Sequence, residues 1–376
     1  MDDKKTTPKA YNREKLILSL SQTILTIILI ALFFFTETSQ KTQIVLDENI
    51  PLWCDTTGFC WQHNYVVFLL FIIVAGILEA VLTFPISFYA GFIIEHKYNL
   101  SNQSFTKWLI EEGKGILIGG IIGLPILTVF YSCLLIFGNS WWLPVAGFLF
   151  FFSLVLSRLA PIFILPLFYK ITPLENKELA RYLESYCIKL GIKTQGIYAF
   201  DLSKNTKKAN AAFTGIGKSK RIILSDTLLQ EFTQEEIATV FTHEAGHMKL
   251  GHIWQMLIVG GIVQFGMFYC IAMTYGNLVT QFGFTSLAEP AALPLLALLS
   301  IPLGFIIMPL QNMFSRELER QADTFAIQTT KNKESFVSTM EKLGKLNLAD
   351  NTPNPIVEFL FYSHPSISKR IQLAKK

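Results

Sequence analysis

Charge is scarce in this sequence. Asp, Glu, Lys and Arg make up 16% of its 376 residues, where an average globular domain carries about 25%, so a wholly water-soluble fold is disfavoured from the start. Cysteine is scarce too, with five in the chain, and none lies near the histidine cluster described below. That distribution speaks against a cysteine-lined structural zinc module. Cys133, Cys187 and Cys270 lie in or near apolar stretches and read as packing. Cys54 and Cys60, in "WCDTTGFCW", admit a disulfide if their loop faces an oxidising compartment. Internal repeats and low-complexity linkers are missing, and so is any pattern suited to nucleic acid. The first apolar run is too long for a secretory signal and no small-residue cleavage site follows it, so it reads as a permanent span.

Apolar residues are present in quantity, 51% of the chain, and they are gathered into runs. Residues 16–35 and 116–137 carry no charge at all. Residues 66–91 are interrupted only by Glu79, and 142–168 only by Arg158. Residues 253–279 and 291–314 complete the set. Crossing the hydrocarbon core takes about 20 apolar residues, so the pattern predicts about six spanning helices.

Basic residues orient these spans. Lys4, Lys5, Lys9, Arg13 and Lys15 precede the first, and Lys97, Lys107 and Lys114 lie between the second and third. The segment 36–63 has only Lys41 against Glu37, Asp47, Glu48 and Asp55, residues 138–141 are uncharged, and the link between spans five and six holds only Glu289. The positive-inside rule is satisfied by one arrangement, with both termini and the lysine-rich segment 169–252 in the cytosol. The membrane is then a bacterial plasma membrane or the endoplasmic reticulum. The expected organisation is an N-terminal membrane region over 1–168, a cytosolic domain over 169–252, two further spans within 253–314 and C-terminal helices over 315–376. Within the cytosolic domain, residues 176–190 have helical periodicity, three short runs read as strands (196–200, 210–214, 221–224), and Thr233-Gln-Glu-Glu236 resembles a capping box opening a helix.

That helix carries "FTHEAGHMKLGH". His243 and His247 are four residues apart, so both imidazoles project from one face and can grip one Zn²⁺, with Glu244 a step around and within reach of a water in an open coordination position. The metzincin extension is missing, since Leu250 and Ile253 stand where glycine and histidine would be required. His252, about 140° round the helix from His247, cannot share the ligand face and reads as an interfacial residue. A third ligand must come from elsewhere, and "SRELERQADTFA" directly after the sixth span is the best source. Glu319 and Asp323 are one helical turn apart, so Glu319 can ligate while Asp323 holds the N–H of a ligand histidine. Glu317 competes, but it points about 200° away and has no such partner.

These motifs have a resemblance. "NAAFTG" from Asn210, "KRIILSDTL" from Lys220, HEAGHMKLGH, Ser315-Arg316-x-x-Glu319-x-x-Ala322-Asp323 and "YSHPSISKRI" from Tyr362 resemble, in that order, the type I CAAX prenyl endopeptidases, integral-membrane zinc metalloproteases; residues 84–105 also look like a loop of that family. The resemblance covers the chain from Phe84 to its end. It implies a polytopic α-helical membrane protein with a small α+β, zincin-like metalloprotease domain. It further implies one Zn²⁺ held by His243, His247 and Glu319, Glu244 as catalytic base, and His364 steadying the transition state. Asn210, Ala211, Ala212 and Phe213 would form an edge strand that pairs with substrate, and Arg370 is a weaker candidate for the site. Eukaryotic members of the family have seven spans and an enclosed chamber. This chain has one N-terminal span fewer, and Ala212 stands where those members carry a bulkier aromatic.

The expected function is therefore a membrane-embedded zinc endopeptidase of the CAAX prenyl protease kind, acting on membrane-associated or lipidated peptide chains, with the lipid bilayer itself a partner. A heat-shock-type quality-control metalloprotease shares the ligand set, but the Asn-Ala-x-Phe-Thr-Gly and His-Pro stretches favour the CAAX-like branch. A transporter with a structural zinc would make use of Glu79 and Arg158 within the spans. It leaves Glu244 without a role, and structural zinc prefers four protein ligands.

Overall fold

A computed structural model describes residues 7–51, 61–214 and 221–376; the Cys54–Cys60 pairing lies outside the described residues. The N-terminal half is helical: α1 (Pro8–Phe35), α2 (Thr38–Asn49), α3 (Trp61–Phe88) leading through a π-helical turn into α4 (Ile94–Lys97), α5 (Phe105–Phe137), and α6 (Trp142–Leu159) leading through a second π-helical turn into α7 (Leu165–Phe168). Both π-turns sit near prolines, Pro85 inside α3 and Pro161 in the second turn itself, where a missing N–H loosens the regular ladder. Helix α2 has no counterpart in the sequence reading. It is mostly polar and follows a chain reversal at Glu37, whose φ is 60°.

The sheet-bearing region follows: β1 (Ile171–Pro173), α8 (Lys177–Lys189), β2 (Ile197–Phe200), β3 (Ala211–Thr214), β4 (Arg221–Ser225), α9 (Asp226–Glu231) and α10 (Gln234–Lys249). Among the described residues the strands form one mixed sheet in the order β1-β2-β4-β3, with β2 and β4 parallel and the other two pairs antiparallel. Strand β3 is thus an edge, with Ala211 opposite Leu224 and Phe213 opposite Ile222. Leu183, Leu224, Leu228 and Phe241 are all fully buried and join α8, β4, α9 and α10 into one core. The strand β1 escaped sequence reading because three residues are too few to show an alternating pattern. Two long helices come next, α11 (His252–Gln281) and α12 (Leu293–Thr330), then α13 (Lys333–Leu346), α14 (Pro355–Phe361) and α15 (Ile367–Lys375). Helix α12 continues from the sixth apolar run, past Pro302 and Pro309, through Glu319 and Asp323, so one helix links the membrane region to the site.

Among the described residues six helices are long and apolar enough to cross a membrane, and the chain is a multi-pass membrane protein. Their buried side chains gather at one end of the bundle. Phe34, Phe68, Tyr131, Trp141, Val145, Tyr275 and Leu295 form a single cluster there, with Phe68 stacked on Tyr131 at 4.1 Å. The segments read as outward loops meet at that end: Gln43 accepts from Ala291 N–H at 2.9 Å, and His63 Nε2 lies 3.0 Å from Asp47. The other end is fastened to the sheet-bearing region by groups from the basic segments. Glu95 gathers Tyr11 at 2.8 Å, Lys15 at 3.1 Å and Lys208 at 3.0 Å, and Lys107 donates to the carbonyl of Lys204 at 2.5 Å.

Candidate active site

Helix α10 carries two histidines in register because its start is held. Glu236 N–H donates to the Thr233 hydroxyl at 3.4 Å and Thr233 N–H to Glu236 Oε2 at 2.8 Å, a complete capping box. Glu236 is itself buried and paired with Lys342 of α13 at 2.7 Å. Further along, Gly246 lets α10 approach α12 closely. A Cβ at that position would meet Phe325 Cβ at 3.2 Å and the Cα of Ala322 at 3.3 Å, so any larger residue would push the helices apart. Ala322 is fully buried in the same contact, and Ala326, one turn on, is fully buried against Phe336 and Met340 of α13. This close approach brings Glu319 of α12 to the two histidines of α10.

Three side chains converge there. His243 Nε2 lies 3.2 Å from His247 Nε2 and 3.3 Å from Glu319 Oε2, and His247 Nε2 lies 3.2 Å from Glu319 Oε1. A tetrahedral ion with bonds of about 2.05 Å has ligand–ligand edges of about 3.3 Å, so each of these gaps is close to the spacing of two zinc ligands, with one carboxylate oxygen of Glu319 nearest each histidine. His243 Nδ1–H donates to Asp323 Oδ1 at 2.9 Å, which leaves its Nε2 as a lone pair aimed into the triangle that the three side chains form. Glu319 Oε2 is buried without a hydrogen-bond partner, and an orphaned buried oxygen costs about 1–3 kcal/mol unless something satisfies it. A divalent cation is the partner that all three groups can share. Burial works against the His243 imidazolium, yet the neighbouring carboxylates of Asp323 and Glu319 outweigh it and push its pKa up to about 9, a sign of surroundings that attract positive charge. Burial also raises the pKa of Glu244, which strengthens its carboxylate as a proton acceptor.

Asp323 is held in turn. The Arg370 guanidinium forks onto it, Nε to Oδ2 at 2.8 Å and Nη2 to Oδ1 at 2.6 Å. Arg370, a weak candidate from sequence, is thus two bonds from the first histidine. His252 requires a correction. The helical-wheel argument assumed an unbroken helix, but Gly251 adopts φ +70° and ends α10 before α11 begins. The turn swings His252 back, 1% exposed, until its Nδ1 lies 3.0 Å from Nδ1 of His247. An isolated glycine one residue before the histidine was the available signal.

His364 reaches the site from the turn between α14 and α15, with Nε2 3.4 Å from Glu319 Oε1 and its side chain 61% exposed, open to a substrate. The turn is organised from below. Arg316 gathers the carbonyls of Glu358 at 3.1 Å, Phe359 at 3.3 Å and Tyr362 at 2.5 Å. The buried Glu358 accepts from Ser366 N–H at 3.0 Å and pairs with Lys369 at 2.8 Å. Sequence reading quoted Arg316 as part of a motif and gave it no task. A cleft of about 220 Å³ brings Asn210 and Ala211 together with His243, Glu244, Glu319, His364 and Arg370. Ala212 and Phe213, next along the same edge strand, do not line it; Phe213 packs on Phe241 at 5.5 Å. His364→Ala is expected to lower kcat by about 10²–10³-fold, the usual loss for one oxyanion donor, with the metal content unchanged. Arg316→Met should share that pattern more weakly. Metal loss from either variant, measured by atomic emission, would contradict the assignment.

Residues 173–376 match the family model described as peptidase family M48, and residues 2–170 match that of the CAAX prenyl protease N-terminal domain, described as five membrane helices. Among the described residues of that segment, four helices are long and apolar enough to span. An uncharacterised metalloprotease of Bacillus subtilis, YhfN, is 33% identical over 81% of this chain and 72% of its own length. CAAX prenyl protease 1 of Saccharomyces cerevisiae is 30% identical over 78% of this chain and 69% of its own length. The crystal structure of S. mikatae Ste24p superposes with a TM-score of 0.86 at 26% identity, covering 98% of this chain and 88% of that one.

Proposed function

This chain belongs to peptidase family M48 and is a membrane metallopeptidase, and on that premise we propose that it is a zinc endopeptidase of the CAAX prenyl protease kind, cutting membrane-associated or lipidated chains at the cytosolic face. The carrying observation is the convergence of the His243, His247 and Glu319 side chains, with gaps of 3.2–3.3 Å between them. One zinc per chain, held by these three residues, would supply Lewis-acid polarisation of the scissile carbonyl and lower the pKa of a water at the open fourth position. Glu244 takes the proton of the attacking water and returns it to the leaving amine. His364 donates its N–H to the oxygen on which negative charge develops. Asp323 and Arg370 hold His243 with its Nε2 lone pair forward. An extended peptide added beside Asn210–Phe213 is held by its backbone, which suits modest side-chain selectivity.

The cytosolic assignment is supported by the sorting of contacts: the lysine-bearing segments meet the sheet-bearing region and the lysine-poor loops meet one another. Single cysteines introduced in the Lys204 turn and in the Glu289 loop are expected to label from opposite sides of the membrane. Labelling from one side would detach the active site from the cytosol.

Substrate class follows from the continuity of α12 and from the short path between His247 and α11, which keep the site near the membrane surface. A chain anchored in the bilayer brings its scissile bond there, and each buried lipid CH₂ contributes about 0.8 kcal/mol. A peptide with a C-terminal lipid should be cut at least about tenfold more efficiently than its unlipidated twin in the same detergent, since two buried CH₂ groups already supply that factor. Equal kcat/KM for the two would favour a general membrane endopeptidase, the quality-control reading. A transporter with structural zinc leaves both Glu244 and His364 idle.

A further inference from the structure

The two histidines of the triangle are supported in different ways. His243 leans on a carboxylate–guanidinium pair, whereas His247 Nδ1 faces another imidazole, His252 Nδ1, at 3.0 Å. Two imidazole nitrogens can bond only if one carries the proton, so this contact has a direction that must be set by something further out. His252 Nε2 lies 3.2 Å from Gln321 Oε1, and Gln321 Nε2 donates to Glu317 Oε1 at 3.0 Å. Glu317 closes the line: Arg320 forks onto it at 2.8 and 2.5 Å, which holds it as a carboxylate.

A carboxylate only accepts, so the N–H end of the Gln321 amide must face Glu317 and its carbonyl must face His252. His252 therefore donates from Nε2 and presents a lone pair at Nδ1. His247 must then donate from Nδ1, and its own Nε2 is left as a lone pair pointing into the triangle. Were the amide reversed, its carbonyl would oppose an anion and the tautomer of His247 would be free to invert. An inverted His247 would aim an N–H at the metal position.

We propose that His252 and Gln321 are positioning residues for the metal site: a Glu317–Gln321–His252 relay that fixes the tautomer and ring orientation of His247. The proposal rests on the reading of His243, His247 and Glu319 as metal ligands. It gives buried His252 a task that packing alone would not require, since a hydrophobic ring fills space equally well. A relay of this kind typically carries 10–100-fold in metal affinity, roughly the cost of losing such a partner elsewhere.

The test is zinc affinity of the purified full chain in detergent, measured by competition with a chromogenic chelator. His252→Asn keeps an acceptor at the place of Nδ1 but underfills the site; His252→Phe keeps the bulk and removes the acceptor. The relay predicts zinc binding weakened about 10–100-fold in His252→Phe and within about threefold of wild type in His252→Asn. A packing role predicts the reverse order. Gln321→Leu, at a partly exposed position with little bearing on folding, should weaken zinc by at least about threefold by releasing the tautomer. Wild-type affinity in His252→Phe or in Gln321→Leu, or an Asn variant as weak as the Phe variant, overturns the proposal. A wild-type chain that takes up no zinc would instead bring down the ligand assignment itself.

Discussion

Glu244→Gln should leave one metal ion bound per chain while peptide hydrolysis falls by roughly 10²–10⁴-fold, the range contributed by a positioned general base. The amide has the shape of the carboxylate but cannot accept the proton of the attacking water. Glu244 is not one of the three converging donors, so the metal has no reason to leave. It lines the same cleft as His243, Glu319 and His364, and burial raises its pKa, both of which suit an acceptor close to the reacting atoms. The measurement is turnover of a fluorogenic peptide alongside metal content by atomic emission. Near-normal turnover would remove Glu244 from the mechanism, and loss of metal with loss of turnover would make it a ligand.

Glu319→Ala should empty the metal site. Two histidines on one helix hold a cation far less tightly than two histidines and a carboxylate from a second helix. Removing Glu319, 7% exposed between them, deletes the only acidic corner of the triangle. The expected result is less than a tenth of the wild-type zinc content after dialysis, with activity lost in parallel; taking occupancy from about 90% to about 10% needs roughly 80-fold weaker binding, about 2.6 kcal/mol. Glu317→Ala should retain its zinc through dialysis, because that carboxylate is directed at Arg320 and Gln321. It should affect the metal only through the relay, and so mildly. The opposite pattern, with Glu317→Ala metal-free and Glu319→Ala loaded, would move the third ligand by two residues and break the α10–α12 geometry as a description of the site.

Much of this molecule is written in local pattern, and local pattern is what a sequence displays. Uncharged runs of membrane-spanning length announce helices, because no other element satisfies its backbone in hydrocarbon. Thr233 and Glu236 announce the start of α10, since a capping box needs only residues three apart. The spacing of His243, Glu244 and His247 shows which side chains share a face, and Glu319 with Asp323 repeats that logic one helix later. Wherever the relevant partner lies within one helical turn, reading the residues suffices.

The remainder depends on elements far apart in sequence, and there only the tertiary structure decides. Gly251 leaves the helical conformation, and that single break brings His252, read from sequence as an interfacial residue, against His247. Arg370 meets Asp323 across 47 positions, and Arg316 gathers carbonyls more than forty residues away to set the turn that holds His364. The three-residue β1 and the polar α2 exist because of what packs beside them. The sequence alone determined which side chains share a helix face, because helix periodicity is a local property. The fold decided how their nitrogens and oxygens are aimed, because a tautomer is set by the far end of a hydrogen-bond chain, and that end is brought near only by packing.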